Sequence, residues 1–129
     1  MTAHHSDGVR VYAELRGEAR ADKMISLAQK SGAEAAIADL SLEFVFGKVW
    51  SRGGLDRKGR SLVTIGALIA LRQTDELQNH LRVALTNGLT KTEIEEAIVQ
   101  TAPYAGFPAA WSAAKALSTL VDEPADDHP

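Results

Sequence analysis

Apolar residues in this chain recur at intervals of three and four, and they never alternate with polar ones for long enough to make a half-buried strand. Ala, Leu, Glu, Lys and Arg, all strong helix formers, fill most of the remaining positions. The pattern predicts an all-α fold of about six helices in one domain. A first helical region covers residues 9–29 with a break near Gly17, and Ser31-Gly32 punctuates it. A second covers 33–50 and places Leu40, Phe44 and Val49 as its apolar positions. Gly53 and Gly54 make 51–55 a loop, because adjacent glycines raise the cost of continuing a helix. Asp56 is the expected N-cap of a third helix, which runs to about Leu71. Thr74 is the expected cap of a fourth, with a stripe of Leu77, Leu81, Ala84 and Leu85 and a stop at Gly88. Thr90-Lys91-Thr92-Glu93 has the spacing of a capping box and opens a fifth helix, which Pro103 is expected to kink or end early. Pro108 enters a sixth, reaching about Val121. On this reading residues 1–30 form an N-terminal helical extension, 31–121 the main helical domain and 122–129 a flexible acidic tail.

Charge and composition narrow the function classes. A total of 14 Lys+Arg against 17 Asp+Glu gives a net charge of -3, and the basic residues are dispersed, so nucleic-acid binding has no electrostatic support. The longest apolar run, 62–71, is about half of the roughly 20 residues that a membrane span needs. No membrane partner is expected. The start Met1-Thr2-Ala3-His4-His5 has neither the basic nor the apolar segment of a secretory signal, which makes a cytoplasmic location the expectation. The absence of cysteine excludes disulfides, thiolate metal sites and thiol redox catalysis within the chain. The histidines at 4, 5, 80 and 128 show no metal-ligand spacing, and no metal site is expected.

His80 is the first candidate for chemistry. At 100° per residue it falls about 60° from Leu77, at the edge of the apolar stripe. Glu76, at i−4, is close enough to orient the imidazole or favour its protonated form, which suits a general acid near neutral pH. A boundary histidine bonded to a backbone carbonyl would have the same spacing, and from spacing alone that is the commoner case. Arg60 is the second candidate. It leads into an almost wholly apolar helix and aligns with Thr64, Ala67 and Leu71, where its guanidinium suits a carboxylate or a developing oxyanion. Arg57 and Lys58 share its first turns, however, and such positions are usually wet. Phe44, Phe46, Trp50, Tyr104, Phe107 and Trp111 are of the kind that walls a small-molecule site, though each taken alone is better explained as a core residue. Ser61 has no sequence neighbour that would make it a nucleophile.

Four blocks resemble the carboxymuconolactone decarboxylase family: residues 46–56 (Phe46-Gly47-Lys48-Val49-Trp50-Ser51-Arg52-Gly53-Gly54-Leu55-Asp56), 60–65 (Arg60-Ser61-Leu62-Val63-Thr64-Ile65), 76–82 (Glu76-Leu77-Gln78-Asn79-His80-Leu81-Arg82) and 104–110 (Tyr104-Ala105-Gly106-Phe107-Pro108-Ala109-Ala110). The resemblance spans roughly residues 40–118. It implies an all-helical fold that assembles as an intertwined homo-oligomer, a homohexamer or homotrimer. It also implies cofactor-free decarboxylation of a carboxylated lactone in the β-ketoadipate branch of aromatic compound catabolism. A sister branch, similar to alkylhydroperoxidases, carries Cys-x-x-Cys-x-x-x-His. Here the histidine of that motif matches His80, while Gln73 and Glu76 stand at the cysteine positions, so peroxidase chemistry by that route is not available. The resemblance makes His80, Arg60 and Glu76 the catalytic candidates and Trp50, Ser61, Phe46 and Tyr104 the substrate-binding ones. Gly53, Lys48, Pro103 and Trp111 depart from the family's usual residues around the pocket. Another small lactone or quinone-like substrate, or a non-catalytic ligand-binding protein, therefore stays open.

Overall fold

A computed structural model describes residues 2–122. Its described residues hold seven α-helices and one π-helix, with no strand. They fall into two compact units that divide at Leu55/Asp56 in sequence. The expected acidic tail lies outside the described residues from 123 onward.

The first unit contains α1 (Ala3–Arg16), α2 (Glu18–Ala28), α3 (Ala33–Leu40) and the π-helix (Ser41–Trp50). α1 begins six residues before the expected start because Thr2 caps it, its hydroxyl accepting the His5 amide at 3.0 Å. Gly17, at φ 93°, separates α1 from α2 where the sequence pattern placed a break. α1 lies against the π-helix at backbone distance. A Cβ on Gly8 would collide with the Leu42 carbonyl oxygen, and one on Gly47 with the His4 carbonyl oxygen. Tyr12, Ala21 and Leu42 are the buried centre of this unit.

The π-helix corrects the expected apolar face. Leu40 and Phe44 are each 58% exposed and Val49 is 37% exposed, whereas Leu42, Gly47 and Trp50 are buried. Bonding from i to i+5 widens the turn, so residues five apart, such as Leu42 and Gly47, share the inner face that a 3.6-residue period assigns elsewhere.

The second unit contains α4 (Arg57–Ala70), α5 (Thr74–Thr86), α6 (Lys91–Ala105) and α7 (Phe107–Asp122). Asp56 caps α4 as expected, accepting the Gly59 amide at 2.7 Å, and both bonds of the Thr90/Glu93 capping box are formed. The core joins Ile65 and Ile69 of α4, Leu77 and Leu81 of α5, and Ile94 and Ile98 of α6 to the alanine-rich face of α7. Three details differ from expectation. Thr74 is the first residue of α5, and Gln73 is its N-cap. Leu85 is 41% exposed, and Val83 takes its place among the buried residues. α6 continues through Pro103 to Ala105, since Pro103 and Val99 both lie on the solvent side, where the Val99 carbonyl that loses its amide partner is left to water.

Candidate active site

α4 and α5 form an antiparallel pair joined by residues 71–73, with Arg72 in the left-handed region at φ 58°. Asn87 fixes the far end of the pair. Its Nδ2 donates to Ser61 Oγ at 2.8 Å and to the Arg57 carbonyl at 3.4 Å. The Lys58 stem lies over Gly88 at the same level, its Cε 3.1 Å from where a Cβ would stand. This register sets the spacing of the two leading candidates. Arg60 adjoins Ser61, and His80 precedes Asn87 by seven residues, so the two backbone positions are on the order of 10 Å apart along the helix pair.

The burial of α5 moves His80 from the margin of the helix face to its interior. Relative to Leu77, the buried residues extend past His80 at −60° to Val83 at −120°. Glu76, His80, Val83 and Asn87 thus form a second stripe beside the core stripe, and His80 is only 13% exposed. Its Nε2 lies 3.8 Å from Oε2 of Glu76, an ion-pair distance too long for a hydrogen bond. Asn79 Nδ2 donates to the other Glu76 oxygen at 3.2 Å, holding the carboxylate from the outer side. His80 Nδ1 and Arg60 Nε are buried atoms with no hydrogen bond of their own, although each residue is engaged elsewhere.

The remaining candidates divide between the units. Arg60, Ser61, Glu76, His80 and Tyr104 belong to the second, while Phe46 and Trp50 belong to the first. Ser61 is wholly buried with its hydroxyl held by Asn87. Phe46 stacks edge-on against Tyr12 with ring centroids 4.8 Å apart, and Trp50 is buried at the end of the π-helix. Tyr104 stands in solvent near the end of α6 at 85% exposure. Sequence reasoning missed Asn87 and Val83. The signal for Asn87 was its place at i+7 from His80, on the same side of α5.

Comparison with known proteins gives the chain a family. The carboxymuconolactone decarboxylase family model matches residues 35–119, from α3 into α7. The chain is 41% identical over 105 residues to the 4-carboxymuconolactone decarboxylase of Acinetobacter baylyi, covering 81% of this chain and 77% of that one. The chain belongs to the carboxymuconolactone decarboxylase family. It is also 42% identical over 89 residues to the nitrosuccinic acid decarboxylase of Metarhizium robertsii, across 66% of this chain and 62% of that protein. An uncharacterized 15.0 kDa protein from the nqo9–nqo10 intergenic region of Paracoccus denitrificans is 40% identical over 84 residues, across 64% and 63%. The chain thus spans just under two thirds of the length of these last two relatives. As a member of this family it is classed with the carboxy-lyases. The match leaves out α1 and α2 and takes in all four helices of the second unit.

Proposed function

We propose that this family member removes carbon dioxide from 4-carboxymuconolactone, giving the enol-lactone of the β-ketoadipate route of aromatic breakdown. The observation that carries this reading is the acid–imidazole pair of Glu76 and His80, its imidazole largely enclosed and its carboxylate open to solvent, on a helix held in register against the one bearing Arg60. Similarity to a named 4-carboxymuconolactone decarboxylase over four fifths of the chain supports the substrate.

Decarboxylation breaks the bond between the ring carbon and its carboxylate and leaves an electron pair behind. In the lactone that pair flows through the ring double bond to the carbonyl oxygen, so the substrate is its own electron sink and no cofactor is called for. Arg60 binds a substrate carboxylate or the enolate oxygen that develops, where a paired guanidinium is the strongest side-chain donor. His80, as imidazolium, gives its proton to the ring carbon, and Glu76 orients the ring. Phe46, Trp50, Ser61 and Tyr104 are proposed as substrate-side residues. The working form is a homo-oligomer, hexamer or trimer, which the solvent-exposed aromatic residues of the second unit support.

The similarity to a nitrosuccinic acid decarboxylase favours one second reading. Nitrosuccinic acid is a dicarboxylic acid whose nitro group accepts the electron pair, as the lactone carbonyl does. The chemistry common to both is a dicarboxylate with a group that accepts the electron pair left by the departing carboxylate. Purified protein is to be incubated separately with 4-carboxymuconolactone and nitrosuccinic acid while carbon dioxide is measured. Release from the lactone together with the enol-lactone product is expected. Release from nitrosuccinic acid alone would replace the first substrate with the second, and release from neither would refute both.

A further inference from the structure

The Ser61 hydroxyl, wholly buried, accepts from Asn87 Nδ2 at 2.8 Å, and the same nitrogen donates to the Arg57 carbonyl at 3.4 Å. A carboxamide nitrogen carries two hydrogens, so the two bonds form together. Residues 57 and 61 lie one turn apart on α4, and Arg60 lies about 100° round the helix from Ser61. Two bonds to one turn fix how far α4 slides along α5 and also how it is turned about its own axis. The turn is what aims Arg60. On the α5 side the anchor is firm, since Asn87 closes that helix with its amide donating to the Val83 carbonyl at 2.8 Å, and His80 stands two turns back on the same backbone. Arg60 Nε is enclosed although the residue as a whole is part-exposed. The guanidinium therefore starts from a fixed point, and the set of α4 decides where it ends.

From this clamp we infer that Asn87 is a positioning residue for the decarboxylation, holding Arg60 at the distance and angle from His80 that the reaction needs and acting on the rate through Arg60 alone. The inference rests on the functional reading above and adds to it a residue outside the reacting groups. Helix geometry makes the clamp sensitive. Side chains reach ~5–6 Å from the axis, so turning α4 by about 10° moves their tips by roughly 1 Å. A misplacement of that size in a bound geometry costs about 10² in rate. An asparagine that only stabilises the helix pair would instead affect turnover to the same extent whether or not Arg60 is present.

A double-mutant cycle separates the two roles. Wild type, Asn87→Ala, Arg60→Ala and the double variant are to be assayed for kcat/KM with whichever of 4-carboxymuconolactone and nitrosuccinic acid the wild type turns over, below the denaturation midpoint of each and with circular dichroism to show that each is folded. Asn87→Ala is expected to lower kcat/KM by about 10–10² when Arg60 is present. In the Arg60→Ala background it is expected to lower it by less than about twofold, the scatter of independent sites. Asn87→Asp, which keeps the shape of the side chain but cannot donate, is expected to follow the same pattern and serves if Asn87→Ala does not fold. Equal losses in the two backgrounds, or full activity in a folded Asn87 variant, overturn this inference and leave the functional reading standing. A wild type that turns over neither substrate overturns both.

Discussion

His80 shows what a side chain gains from the helix around it. Spacing set it at the rim of an apolar stripe, where a histidine serves structure as readily as chemistry. Val83, one turn further on, is buried as well, the imidazole is left 13% exposed, and the Glu76 carboxylate stands at ion-pair distance from its Nε2. If His80 delivers the proton, His80→Gln should fold normally and lower turnover by about 10²–10⁴, the usual contribution of a general acid. Arg60→Ala should lower it by about 10²–10³, as loss of an oxyanion donor does. Initial rates alongside circular dichroism check both, and unchanged turnover in the two variants would remove the assignment. Asn87 acts one step further back. Asn87→Ala strips the Nδ2 donor from the buried Ser61 hydroxyl, so a stability loss of about 1–3 kcal/mol is expected in urea titration. Glu76 and His80 were readable from the sequence because i and i+4 meet on any helix. The Asn87–Ser61 bond was not, since it joins residues 26 apart and depends on how two helices slide past each other.

At the scale of elements, the sequence was most transparent where local chemistry decides the backbone. Asp56, Gly17 and the Thr90/Glu93 box fell where expected, because capping satisfies amides within the first turn and needs no distant partner. The box also predicts a pH dependence. Hydrogen bonds from the backbone amide and the hydroxyl of Thr90 hold the Glu93 carboxyl below its ordinary value, with desolvation opposing them and Lys58 adding a small push the same way. A carboxylate depressed in the folded state contributes stability above its unfolded pKa and loses it as pH falls through the folded one. The stability gap between wild type and Glu93→Gln should therefore narrow on acidification through the carboxylate range, as followed by denaturant midpoints at stepped pH. The π-helix was opaque by comparison. Its register follows from α1 pressing on it through Gly8 and Gly47, a contact between elements that no local pattern announces. Gly8→Ala and Gly47→Ala each push a methyl into a backbone carbonyl that cannot swing away. Each should cost about 1–3 kcal/mol, the range for overpacking, whereas Gly66→Ala, which has open space, should not destabilise.

For the molecule as a whole, the balance between core and surface decides what the stable species is. Each compact unit is about the size at which one hydrophobic core is marginal, and the core of the second unit is built largely from alanine, leucine and isoleucine with no aromatic ring. The large rings of that unit are instead outside, with Trp111, Phe107 and Tyr104 all more than 70% exposed. In the homo-oligomer proposed above, covering these rings would move part of the stabilisation from folding to association. Stability then depends on concentration by mass action, because partners bind the folded chain and not the unfolded one. Between 1 and 100 μM the association term grows by about 2.7 kcal/mol per mole of partner bound, enough to move the melting temperature of a domain this size by several degrees. Calorimetry across that range should show the midpoint rising with concentration in the wild type and staying nearly flat in Trp111→Arg. A wild-type midpoint that does not move over the hundredfold range would mean that the exposed rings contribute nothing to stability and that the single chain is the folding unit.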